Sequence, residues 1–170
     1  MKSITAAEYN AYYQPYIDNV NYDLSIVEGL KQNQDVVVSF YSNIPEEKHD
    51  YAYAVGKWTV KDVLLHIIDT ERVFAYRALR IARRDNTPLA GYEQDDYVLN
   101  AFAENRTMKS LIAEYKSVRQ ATITLFESFS PDTLLLIGEA SGFPISVRAI
   151  GYVIVGHENH HSKIISERYL

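Results

Sequence analysis

Three of the five histidines, His157, His160 and His161, crowd into the segment GHENHHSKII. Imidazole nitrogens are ligands for divalent transition metals, so the first question is which of these three could share one ion. On an α-helix, positions four apart lie about 40° apart around the axis, positions three apart about 60°, and neighbours about 100°. His157 can therefore chelate with His161 or with His160, whereas adjacent His160 and His161 cannot easily share an ion. The apolar residues Val147, Ile150, Val153, Ile154, Ile164 and Ile165 define the buried stripe of this helix. Measured from its mean direction, His161 stands roughly 10° away, His157 roughly 30° and His160 roughly 90°. The inward pair has the four-residue spacing of a zinc-protease helix, with Glu158 after the first histidine, but the remaining protease context is absent. As plain core residues, two polar rings would be buried together at a cost that a shared metal relieves. Gly156, unfavourable inside a helix by about 1 kcal/mol relative to alanine, points to close approach by another element.

A third protein ligand must come from His49, in EEKHDY, or from His66, inside a long helical segment. A helix fixes His66 better. Yet it lies roughly 110° from the stripe formed by Val60, Leu64, Ile67, Phe74, Ala78 and Ile81, so ligand and solvated flank residue both stay open. Glu71 falls about 30° from the centre of that stripe, and Arg119 lies on the stripe of a later helix with Tyr115 and Thr122. Buried charges are usually paired, so these two are expected to meet, unless each reaches solvent by its stem. As speculative catalytic residues, Arg119 would anchor a substrate anion and Glu71 would orient it. Asp69 could accept a hydrogen bond that fixes an imidazole tautomer, or stay solvated. Asp95 and Asp96 are expected first of all to cap a helix.

The elements that must position these residues read as an all-α bundle. Of 170 residues, 47% are hydrophobic and 23% charged, which suits a single globular domain over 1–170 with a real core. Helical periodicity and caps give four helices at about 21–44, 59–83, 107–129 and 146–168, with Thr59 and Asp62 spaced as a capping box and Ser146 as an N-cap. Residues 1–20 form an extension with a short helix near 6–16. Residues 85–105 make a connection longer than bundle helices usually need, and SGFPIS sits in a loop.

Composition removes several function classes. The absence of cysteine excludes disulfides, thiolate ligands and a protein thiol nucleophile. A net charge of −5 without a basic groove argues against nucleic acid, and the 14 tyrosines then read as core and interface material. No apolar run reaches the length of a membrane span, and no signal peptide is evident, so a cytoplasmic location is expected.

The segments GKWTVKDVLLHIIDTERVFAYRALRIARRD, GYEQDDYV and SVRAIGYVIVGHENHHSKIISERY together resemble the DinB/YfiT-like superfamily, over almost all of the chain beyond its first twenty or so residues. The resemblance implies a four-helix bundle of up-down-down-up topology, with the long connection between helices two and three as its crossover. It also implies a divalent metal held by His66, His157 and His161, with His160 as a neighbour. Nickel or zinc comes first, and iron, copper and manganese are compatible. The implied activity is that of a metal-dependent thiol S-transferase or hydrolase, turning a low-molecular-weight thiol or metal-bound water on a small electrophilic substrate, in a homodimer. The alternative is a stress-associated metal-binding or structural bundle without catalysis.

Overall fold

Four long helices carry the architecture of the computed structural model, which describes residues 4–170. Ahead of them, the single helix expected near 6–16 is instead two 3-10 turns, Ala6–Glu8 and Ala11–Tyr13, followed by α1 (Gln14–Ile17). The first long helix, α2 (Ile26–Ser42), starts later than its periodicity suggests because Ser25 and Glu28 form a reciprocal capping box. The second, α3 (Val60–Ala82), starts where expected, at the box between Thr59 and Asp62.

The connection between α3 and the next long helix contains α4 (Gln94–Ala101) and a 3-10 turn at Ala103–Asn105. Asp95 and Asp96 lie in the first turn of α4, where acids suit the helix dipole, but the N-cap position belongs to Glu93, so the capping expectation is corrected. After α5 (Met108–Glu127), capped by Thr107, Ser130 and Pro131 open a one-turn helix, α6 (Pro131–Leu134), with proline in the first turn where its missing N–H costs nothing. The segment read as a loop is a hairpin of β1 (Ile137–Ala140) and β2 (Phe143–Ser146), closed by Ser141 and Gly142 at φ 56° and 80°. Ser146 then caps α7 (Val147–Arg168) by accepting the Ala149 N–H.

Helices α2 and α3 each pack against both α5 and α7. Ile26 lies against Gly151, Gly29 against Val155, and Asn33 bonds Asn159, while the Tyr169 hydroxyl donates to the Trp58 carbonyl just before α3. Arg72 of α3 pairs with Glu114 of α5, and Lys31 of α2 with Glu127. The apolar interior forms two clusters. One gathers Phe74, Ala78, Ile123, Phe126 and the first half of α7; the other gathers Val60, Val63, Leu64, Leu65, Ile67, Ile68, Leu111, Tyr115 and Ile165. Along α3, α5 and α7, the residues between the two clusters include Glu71, Arg119 and the histidine segment, so the polar groups share one level of the bundle. Among the described residues, no helix is long and apolar enough to cross a membrane.

Candidate metal centre

At that level α3 contributes His66 and α7 contributes His157 and His161. His157 Nε2 lies 3.1 Å from His66 Nε2 and 3.0 Å from His161 Nε2, and the three potential ligand atoms all fall within 4.8 Å of one another. A neutral imidazole nitrogen carries either one lone pair or one hydrogen, so His157 Nε2 cannot make two good hydrogen bonds to nitrogens at those distances. A cation shared by three lone pairs resolves the conflict, and the donor set fits a divalent transition metal.

Burial keeps the rings in the ligand form. It lowers the pKa of His66 to about 4 and, helped by the neighbouring histidines, that of His161 to about 3. For the fully enclosed His157 the same two causes drive the pKa well below its ordinary value. His66 is buried and so is not a solvated flank residue, while His49 lies elsewhere with its Nε2 against the Ile44 carbonyl. His160 sits beside the cluster with its ring against Tyr16.

The surroundings hold the rings in place. His66 Nδ1 faces Thr70 Oγ1 at 3.4 Å, and Thr70 bonds the Tyr92 hydroxyl, supplied by the connection before α4, at 2.8 Å. Thr70 thus occupies the position relative to the ring that Asp69 was considered for; Asp69 instead bonds Arg72 and is part-exposed. Trp58 packs on His66 with ring centres 4.7 Å apart, and Tyr16 meets His157 edge-on at 5.1 Å. Tyr16 is also the close approach that Gly156 announced: a Cβ there would stand 1.9 Å from the Tyr16 carbonyl oxygen. Both His66 and His157 line a cavity of about 380 Å³.

Next to the cluster in α7, Glu158 is fully buried and joins Glu71 and Arg119, which meet as expected. Arg119 donates from Nε and Nη2 to Glu71, both at 2.9 Å, from Nη1 and Nη2 to Glu158 at 3.0 and 2.7 Å, and from Nη1 to the Leu30 carbonyl at 3.2 Å. Desolvation opposes its charge, but the two carboxylates outweigh it and hold its pKa well above the ordinary value. With every N–H engaged and no share in the cavity wall, Arg119 is not placed to anchor a substrate anion, and Glu71 is not placed to orient one there. Glu158, Thr70, Tyr92, Tyr16 and Trp58 were not singled out as site residues in the sequence. For Glu158 a signal existed: AIGYVIVG, from Ala149 to Gly156, carries no charge on any side, so a carboxylate soon after it had to be paired.

A family model described as the DinB superfamily matches residues 30–165. Among solved structures, YfiT from Bacillus subtilis, described as a probable metal-dependent hydrolase with an unusual four-helix bundle topology, superposes with a TM-score of 0.75 at 14% identity, covering 98% of this chain and 89% of that one. The DinB-like protein YjoA from Bacillus subtilis gives a TM-score of 0.59 at 18% identity, covering 84% and 87%. No curated protein matches the sequence.

Proposed function

The chain belongs to the DinB superfamily, and from that premise we propose that it is a divalent-metal enzyme, activating water or a low-molecular-weight thiol against a small electrophile in the adjoining cavity. The observation that carries the reading is the convergence of three neutral imidazoles, two of them on the cavity wall. His66, His157 and His161 would hold the ion, with nickel or zinc first and iron, copper or manganese compatible. A divalent ion bound there supplies Lewis-acid activation that brings the pKa of water or a thiol toward neutrality.

The chain's own residues do the positioning. Thr70 and Tyr92 hold the far edge of His66, and Trp58 and Tyr16 pack on the rings and limit access of bulk water. With no cysteine in the sequence, any thiol must come from outside. The description of YfiT favours the hydrolytic branch. A purely structural metal clamp is less favoured, because Arg119, Glu71 and Glu158 already tie α3, α5 and α7 together. The same proposal includes the up-down-down-up order, supported by parallel residue pairing of α2 with α7 and antiparallel pairing of α3 with α7. A cytoplasmic homodimer is carried with it as an expectation, to be checked by light scattering.

Metal analysis of untagged protein is expected to find one divalent ion per chain, lost in His157→Ala and kept in His160→Ala. Ester and electrophile panels, with and without added thiols, then separate hydrolysis from transfer. Absence of bound metal and of affinity for any of the five metals would overturn the reading.

A further inference from the structure

Four basic side chains are buried among the described residues: Lys61, Arg77, Arg119 and Arg148. Lys61 pairs with Asp50, Arg119 with Glu71 and Glu158, and Arg148 with Glu8. Arg77, 2% exposed, has no carboxylate within ion-pair distance among the described residues. Its Nη2 donates to the Ala90 carbonyl at 2.8 Å and to Ser141 Oγ at 2.9 Å, the Tyr13 hydroxyl is a further neutral neighbour, and the guanidinium lies 5.6 Å from the Phe74 ring centre. Such partners orient a guanidinium without cancelling its charge, and a buried charge left uncompensated is costly. The site is therefore built for a negative group that the chain does not supply.

Arg77 lines the same cavity as His66 and His157. Its volume of about 380 Å³ lies within the range of small-molecule sites. On α3, Arg77 follows His66 by eleven residues, about 16 Å of helix rise. Between them the wall is largely aromatic, with Tyr13, Tyr16, Phe74, Tyr92 and Phe143. Glu93 also lines the cavity, without an ion pair to Arg77.

We propose that this cavity takes an elongated organic oxyanion, with its carboxylate or phosphate on Arg77, its apolar or aromatic body against Tyr13, Phe74 and Phe143, and its reacting group at the imidazole cluster. Only the last clause rests on the metal-enzyme reading. A guanidinium matches two oxygens of such a group through paired N–H donors, which a lysine cannot reproduce.

The test titrates 4-phenylbutyrate and its neutral counterpart 4-phenylbutanamide into the full chain by calorimetry, in metal-loaded and in chelator-treated protein. The chelator-treated protein decides, because there the carboxylate has no metal to bind. The expected result is at least tenfold tighter binding of the carboxylate, a preference abolished in Arg77→Met with amide affinity unchanged and partly kept in Arg77→Lys. Equal affinities, no binding of either probe, or a preference that survives Arg77→Met overturns the proposal. Arg77 also ties α3 to the connection and the hairpin. If Arg77→Met does not fold, the Arg77 Nε–H resonance of the wild-type protein is followed: it should shift with the carboxylate and stay with the amide, and an unmoved resonance overturns the proposal. Metal analysis judges the metal reading separately, so either idea can fail alone.

Discussion

Arg119 is the residue on which most depends, because its one charge compensates two buried carboxylates, Glu71 and Glu158. Removing one partner of a buried ion pair costs about 3–5 kcal/mol, since the remaining charge keeps its desolvation penalty. Arg119→Met is therefore expected to lower the unfolding free energy by at least that range in urea denaturation, whereas His160→Ala, on the flank, should stay within about 1 kcal/mol. A smaller loss for Arg119→Met than for His160→Ala would contradict the assignment. The Glu71 and Arg119 pair was legible in the sequence because each residue sits on an otherwise apolar stripe. Glu158 escapes the wheel, because a wheel direction assumes one buried face, and the helix leading into it is buried around its whole circumference from Val147 to Val155; its signal is the uncharged run before it. The same assumption ranked His161 as more inward than His157, whereas His157 is buried and His161 only part-buried. The error is in the degree of burial; the inward pair itself is the one the structure gathers.

At the scale of elements, the four long helices were readable wherever a capping side chain punctuated the period, as Thr59, Thr107 and Ser146 do. Thr59→Ala should cost about 1 kcal/mol, read as a lower thermal midpoint. The hairpin was not readable, since two four-residue strands containing Pro144 give no apolar alternation to detect. The N-terminal segment was hard to read for another reason: part of its seating is a backbone contact, that of Tyr16 with Gly156. In an isolated helix, Gly→Ala would stabilise by about 1 kcal/mol. Here the added Cβ meets a carbonyl oxygen at 1.9 Å, and backbone cannot swing aside as a side-chain tip can. Gly156→Ala is thus expected to reverse the sign, destabilising by about 1–3 kcal/mol and displacing α1, with faster proteolysis within the first twenty residues. A more stable Gly156→Ala variant with unchanged proteolysis would show that α1 is not seated against α7.

Over the whole molecule, stability should depend on pH through two sets of groups whose protonation folding resists. The unfolded chain binds protons on histidine below about pH 6.5, whereas folded His66 and His161 hold off protonation until about pH 4 and about pH 3. Between those limits the unfolded state carries more protons, so acid favours unfolding and stability rises with pH. A second window belongs to Glu8, which its hydrogen bonds to Arg148 hold at a pKa of about 2 against an ordinary 4.5. Its stabilising contribution is present above pH 4.5 and lost as pH falls toward 2. The same carboxylate anchors the N-terminal segment to Ser146 and Arg148 at the start of α7, so the acid transition should release that segment together with the bundle. Urea midpoints of chelator-treated protein are expected to fall first between pH 6.5 and 4, and again below 4.5. Glu8→Gln should be less stable at pH 7 yet flatter below pH 4.5, with the histidine window unchanged. Saturating metal, which binds the neutral rings, should raise the midpoint at pH 7 and extend the histidine window at its acid end, leaving its onset, set by the unfolded chain, near pH 6.5. A midpoint that is flat from pH 7 to 4 without metal would mean that His66 and His161 are not held neutral in the folded protein, and the candidate centre would lose its physical basis.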